Sequence, residues 1–134
     1  MSCARTPVAE CVFDASAILA AIAGEPGADE VEAALGDACV SAVNLAEVAS
    51  KLAREHHDIE EIRATLAALA FDVVDFDEEQ ALEVARLLPL TRAAGLSLGD
   101  RACLALASLR GVPAMTADRD WAALNLGVQI VLIR

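Results

Sequence analysis

The sequence is poor in aromatic residues. Of 134 residues only three are Phe and one is Trp, and Tyr is absent. A chain of this length is long enough for one domain with a real core and too short for two. Since the composition is 57% hydrophobic, that core must be built from Ala, Leu, Val and Ile. Alanine-rich helices packed closely on a β-branched sheet suit such a composition.

Cysteine spacings typical of zinc sites are also missing. The four cysteines form no C-x-x-C pair; they are Cys3, Cys11, Cys39 and Cys103. Three of them lie in apolar runs, where a free cysteine behaves as a small hydrophobe. We therefore expect reduced thiols in a cytoplasmic protein.

No uncharged stretch approaches the length of a membrane span. The apolar segment CVFDASAILAAIAG at 11–24 could be mistaken for a signal peptide. However, Asp14 interrupts it, Glu10 precedes it, and Arg5 is the only positive charge upstream. We expect a soluble protein that stays inside the cell and does not contact the membrane.

Positive charge is scarce in the first part of the chain. Residues 1–80 carry 4 basic and 17 acidic side chains, a net of −13, and residues 81–134 carry 6 and 4, a net of +2; together these give the chain's −11. An acidic chain is a poor non-specific nucleic-acid binder. If it acts on nucleic acid, the C-terminal part or a metal must supply the attraction.

Short apolar segments alternate with helical patterns from residue 11 onward. Residues 1–10 are predicted to be a disordered lead-in and residues 11–134 a single domain. Strands are predicted at 11–13, 38–40, 71–74, 113–115 and 128–133. Helices are predicted at 16–23, 26–35, 41–56, 58–70 and 118–124. A further helix begins at Asp77 and is limited or kinked by Pro89. Another begins at the Ser97 cap and ends at Gly111. This alternation predicts an α/β fold, a three-layer α/β/α sandwich around a mostly parallel sheet.

Four isolated carboxylates fall where the carboxyl ends of parallel strands meet. Asp14 follows the first strand and Asp118 the fourth, Glu47 lies early in the helix after the second strand, and Asp100 lies in the first turn of another helix. Ligands bind at this edge of open α/β sheets. Asp100 also completes an S-x-x-D capping pattern with Ser97, which by itself would explain its presence.

Carboxylates that cluster repel each other, and the usual resolution is a hard divalent cation with oxygen ligands. The four residues therefore predict a Mg²⁺ or Mn²⁺ site, whose bound water could attack a phosphodiester. Helix N-termini at three of the positions should help to keep the ligands ionised. No Ser–His or Cys–His constellation competes, since His56 and His57 lie at a polar helix end.

Four segments, in register along the chain, carry a family resemblance. They are VFDASAILA at 12–20, SAVNLAEVASKL at 41–52, LSLGDRACLALA at 96–107 and VPAMTADRDWAAL at 112–124. The sequence resembles the PIN-domain ribonucleases, and specifically the VapC toxins of bacterial toxin–antitoxin pairs. The resemblance spans almost the whole chain from residue 11.

The resemblance implies a Mg²⁺- or Mn²⁺-dependent endoribonuclease with a PIN-like fold. Its acidic quartet would be Asp14, Glu47, Asp100 and Asp118, and Asp120 is a further, lower-ranked ligand candidate. Ser16 and Thr116 match hydroxyl positions that support the first and last carboxylates. The family also implies a homodimer and a small antitoxin of the VapB type that obstructs the acidic pocket.

RNA is then expected to approach over the C-terminal part of the chain. Arg92, Arg101, Arg110 and Arg119 are candidate phosphate contacts, or else they pair with neighbouring acids. Arg101 and Arg119 are favoured because each directly follows a proposed metal ligand.

Two other classes stay open. A non-catalytic PIN-fold scaffold would usually lack one of the carboxylates. A Mg²⁺-dependent phosphoryl-transfer domain would need a D-x-D pair or a lysine after a late strand, whereas position 16 is Ser and the only lysine is Lys51.

Overall fold

The computed structural model describes residues 10–134. It contains five strands and six α-helices. The strands are β1 Cys11–Phe13, β2 Ala38–Ser41, β3 Asp72–Val74, β4 Ala114–Thr116 and β5 Ile130–Leu132. The helices are α1 Ala15–Ala23, α2 Ala28–Ala34, α3 Ala42–Arg54, α4 Ile59–Ala67, α5 Glu78–Thr91 and α6 Leu98–Arg110. Short 3₁₀ helices cover Leu35–Asp37, Arg92–Ala94 and Arg119–Ala123.

The strands form one parallel sheet in the order β3-β2-β1-β4-β5. Val12 pairs with Cys39 on one side and with Ala114 on the other. The strand order therefore reverses between β1 and β4, which opens a crevice at their carboxyl ends.

Helices cover both faces of the sheet because the strands are apolar on both sides. Val12, Cys39 and Ala114 face a core formed with α5 and α6. Their neighbours Phe13, Val40 and Met115 face a second core formed with α1 to α4. The prediction of a three-layer α/β/α sandwich is confirmed.

Most predicted elements are present, with ends shifted by a few residues. Helix α1 begins one residue early because Asp14 caps it, accepting from the Ala17 N–H. Helix α2 begins at Ala28 rather than at Pro26, after a turn in which Gly27 has φ 97°. Pro89 lies inside α5, which ends two residues later at Thr91. The predicted last helix is a 3₁₀ helix.

The prediction for residues 1–9, including Cys3, lies outside the described residues. The Glu10 N–H donates to the Asp37 carbonyl at 2.6 Å. Cys11, Cys39 and Cys103 are buried free thiols. Between residues 10 and 134, no helix is both long and apolar enough to cross a membrane.

Candidate active site

Asp14 lies at the carboxyl end of β1, beside the β1–β4 crevice. The Asp14 N–H donates to the Met115 carbonyl at 3.1 Å, which extends the pairing of β1 with β4 up to the carboxylate. The Asp14 side chain is 4% exposed. Its Oδ1 accepts from Ser16 Oγ at 2.7 Å and from the Ala17 N–H at 2.9 Å, and its Oδ2 accepts from Thr116 Oγ1 at 2.6 Å. Every oxygen of this buried carboxylate therefore has a partner, and none of these partners is charged.

Burial raises the pKa of Asp14 from 3.8 to about 6, although its three hydrogen bonds oppose the shift. The charge of Asp100 raises this pKa further. Asp14 lies at a helix N-terminus, as expected, but for this residue desolvation outweighs the stabilisation of the charged form. The site thus holds a carboxylate that is unusually costly to ionise.

Ser16 and Thr116 both support Asp14. Thr116 was expected to support the last carboxylate, but its hydroxyl donates to Asp14 and accepts from the Asp118 N–H at 3.0 Å. Ser16 Oγ accepts from the Ala117 N–H at 2.9 Å. The two hydroxyls therefore connect the first and last acidic residues through the backbone after β4.

Asp118 caps the 3₁₀ helix that follows β4, with Oδ1 accepting from the Asp120 N–H at 2.9 Å. Asp118, Arg119 and Asp120 are all exposed. Asp118 consequently presents its second oxygen to solvent beside the crevice.

Asp100 forms the predicted capping box of α6. Its Oδ2 accepts from the Ser97 N–H at 3.0 Å, and the Asp100 N–H donates to Ser97 Oγ at 3.1 Å. The capping interpretation of this residue is correct. Its proximity to Asp14 is an additional property that capping does not require.

Glu47 reaches the same region from α3. Its Oε1 accepts from Asn44 Nδ2 at 2.8 Å. Its carboxylate packs against Gly99 so closely that a Cβ at position 99 would overlap the carboxylate. Burial raises the pKa of the Cys103 thiol, and the charges of Asp14, Asp100 and Glu47 raise it further. Asp14, Glu47 and Asp100 therefore lie in one region of the sheet edge, and Asp118 is linked to Asp14 through the Thr116 hydroxyl.

The donor set suits a hard cation. In the described part of the chain the ion pairs are Lys51–Glu55, Arg63–Glu60, Arg86–Glu83 and Arg134–Glu25. None of them neutralises a residue of the acidic quartet. The same residues include no group of three His, Cys, Asp or Glu side chains placed to hold a metal ion as they stand. Binding would require a side chain of the quartet to rotate, and the exposed Asp118 has room to do so.

The candidate arginines differ in accessibility. Arg101 is half-buried, with Nη1 donating to the Val84 carbonyl at 3.1 Å, whereas Arg119 is exposed. Arg110 Nη1 lies 3.7 Å from Cys39 Sγ, and Arg92 is exposed. Of the two favoured residues, Arg119 has its guanidinium free to meet a phosphate.

Sequence reasoning overlooked Asn44 and Gly99. A usable signal existed, because an amide three residues before a glutamate on a helix lies on the same face. A glycine in the first turn of a helix is likewise a poor helix former that calls for a reason.

The sequence model of the PIN domain family matches residues 11–125, and the chain belongs to this family. No curated protein sequence shows a significant match.

Solved structures share the fold across nearly the whole chain. A toxin–antitoxin complex from Klebsiella pneumoniae superposes with a TM-score of 0.71 at 22% identity, covering 92% of this chain and 98% of that one. VapBC-5 from Mycobacterium tuberculosis, a member of the VapBC family of toxin–antitoxin systems, gives 0.64 at 26% identity with the same coverage. VapC20 from M. tuberculosis, described as a sarcin–ricin loop cleaving toxin, gives 0.68 at 20% identity, covering 89% of this chain and 98% of that one. This chain is thus a PIN domain with the fold of VapC-type toxins.

Proposed function

We propose that this protein is a Mg²⁺- or Mn²⁺-dependent endoribonuclease that acts as the toxin of a toxin–antitoxin pair. The observation that carries the proposal is the set of four carboxylates at the β1–β4 crevice, none of which is paired with a basic side chain in residues 10–134. Membership of the PIN family and the likeness to VapC20 support RNA as the substrate class.

Asp14, Glu47, Asp100 and Asp118 would hold the ion. When bound, a divalent cation supplies a water of lowered pKa and stabilises the charge that develops at the phosphate. Ser16 and Thr116 fix both oxygens of Asp14, so this ligand keeps its orientation whether or not the others move. Asp120 would be the alternative ligand at the last position.

RNA would approach past the C-terminal part, where the net charge is +2 rather than −13. Because Arg119 directly follows Asp118 and is exposed, we propose that its guanidinium contacts a phosphate of the substrate. Arg101 would contribute through whatever part of its guanidinium Val84 leaves free.

An antitoxin and a second copy of the chain are the proposed protein partners, in the cytoplasm. The structural neighbours include, by their descriptions, a toxin–antitoxin complex and several VapBC proteins.

The test combines metal-dependent stability with RNA cleavage. For the parent protein we expect Mg²⁺ or Mn²⁺ to raise the melting temperature, since a ligand present at roughly 100 times its Kd stabilises the folded state by about 2.7 kcal/mol. Asp100→Asn should remove most of this shift and abolish cleavage while α6 stays capped, because Asn can still accept from an N–H.

Glu61→Gln is the matched control, because Glu61 is the N3 acid of the capping box at the exposed start of α4, as Asp100 is in the capping box of α6. It should leave both the metal shift and cleavage unchanged. An equal metal response of parent and Asp100→Asn, or equal cleavage by both, would mean that Asp100 is only a helix cap and would contradict the proposal.

A further inference from the structure

Asn44 is a buried amide whose polar atoms are only partly satisfied. It is 1% exposed, and its Oδ1 has no hydrogen-bond partner among residues 10–134. An unpaired buried acceptor destabilises a fold, and an apolar side chain of similar size would avoid the penalty. The presence of asparagine therefore has to be explained by what its Nδ2 does.

The Nδ2 group donates to two acceptors that belong to different helices. One is Glu47 Oε1 at 2.8 Å, one turn further along α3, and the other is the Gly99 carbonyl at 3.0 Å, in the first turn of α6. The two acceptors also settle the orientation of the amide, because a flipped Asn44 would point Oδ1 at both. Asn44 thus ties the helix that carries Glu47 to the turn that carries Asp100.

Gly99 completes this arrangement from the other side. It is buried in α6 and has no left-handed backbone angle, so its backbone does not require glycine. Alanine would stabilise the helix by about 1 kcal/mol. What glycine provides is room: a Cβ here would overlap both oxygens of the Glu47 carboxylate.

We infer that Asn44 and Gly99 are positioning residues that hold the Glu47 carboxylate beside Asp100, in the place where it ligates the divalent cation. Asn44 fixes Oε1 from one side, and the bare Cα of Gly99 lets the carboxylate settle against α6. Neither residue touches substrate. This inference rests on the proposed function, because it assumes that Glu47 is a metal ligand.

The experiment measures Mn²⁺ affinity without RNA, from free Mn²⁺ by electron paramagnetic resonance. Asn44→Ala removes the donor and Gly99→Ala pushes the carboxylate away, so each should weaken Mn²⁺ binding by about ten-fold or more, the usual effect of losing an outer partner of a metal ligand. In the RNA-cleavage assay, saturating Mn²⁺ should restore most of the kcat of Asn44→Ala, because the ligand itself is still present.

Two control variants separate positioning from general packing. Gln80 is also a buried amide. Its Nε2 donates to the Asp75 carbonyl at 2.8 Å and its Oε1 has no partner, but within residues 10–134 its side chain bonds no carboxylate. Gly36 has open space where a Cβ would lie. Gln80→Ala and Gly36→Ala should keep the parent's Mn²⁺ affinity even where they change the free energy of unfolding.

A direct readout uses the Asn44 side-chain amide signals in a ¹⁵N NMR spectrum. Substoichiometric Mn²⁺ should broaden them in the parent protein and much less in Glu47→Ala. If the parent binds Mn²⁺ but Asn44→Ala and Gly99→Ala bind it equally well, the positioning inference is wrong and the proposed function stands. If the parent binds no Mn²⁺ at all, both fail together.

Discussion

Asp14 should be a site where removing a charge stabilises the protein. In the folded state the pKa of Asp14 is about 6, against 3.8 for an ordinary aspartate. Below pH 4 the carboxyl is protonated in both the folded and unfolded states, so stability does not depend on it. As pH rises through 4 to 6 the unfolded chain ionises first, and the folded state progressively loses stability. Two pKa units correspond to a loss of about 3 kcal/mol above pH 6.

Asp14→Asn removes this loss while retaining most contacts. Its amide oxygen can keep the Ala17 N–H bond, and its NH₂ group can donate to Thr116 Oγ1, whose proton then turns toward Ser16 at 3.3 Å. In chelator at pH 7 we therefore expect the variant to be more stable than the parent by about 2 to 3 kcal/mol, or roughly 7–11 °C in Tm. It should nevertheless be inactive.

The assay is urea unfolding of both proteins in chelator from pH 4 to pH 8. The stability difference should be near zero at pH 4 and grow through pH 6. Asp77→Asn is the control, since Asp77 is an exposed N-cap with the same Oδ1–N contact and no buried charge to remove. A difference that does not change with pH would refute the raised pKa. A variant less stable by several kcal/mol at pH 7 would show that the carboxylate is structural.

Two further predictions concern the arginines and the turn before α2. Arg119→Ala should weaken RNA binding across sequences and lower the slope of log K against log salt concentration by about one unit. Arg101→Ala should also lower stability, because it removes the hydrogen bond to the Val84 carbonyl. If Arg119→Ala leaves the slope unchanged, the RNA path lies elsewhere. In urea unfolding, Gly27→Ala should destabilise the protein by about 2 to 4 kcal/mol, because it combines a φ of 97° with a clash against Ile133. Gly24→Ala is the control: its Cβ would meet no described atom within 4 Å, so it should destabilise the protein by only about 1 kcal/mol. Equal losses at the two glycines would show that contact with the last strand region does not matter.

The fold was predictable because its signals are local. Ser41, Asp77 and Ser97 were recognisable as helix starts, and each does cap the following helix. Parallel topology then placed the acidic residues at one edge without knowledge of any contact. This prediction required only the residue types and their positions relative to the strands.

The parts that sequence did not reveal depend on contacts between distant segments. Thr116 was expected to support Asp118, and its hydroxyl does accept from the Asp118 N–H, but it also donates across the crevice to Asp14, which the sequence did not reveal. Arg101 follows a proposed ligand, yet its guanidinium turns toward α5. Asn44 and Gly99 each carry a local sequence signal, but the contact between them joins positions 55 residues apart and could not be predicted from either. In each case the direction of a side chain, set by packing between helices, was the missing information.

The central pairing of β1 with β4 also determines when the site can form. Asp14 and Thr116 lie 102 residues apart in sequence and touch only after β4 has docked beside β1. At translation rates of about 5–20 residues per second, several seconds pass between the synthesis of the two, and pairing so distant in sequence is intrinsically slow to fold. A nascent chain therefore has no assembled acidic site until nearly all of the domain has left the ribosome.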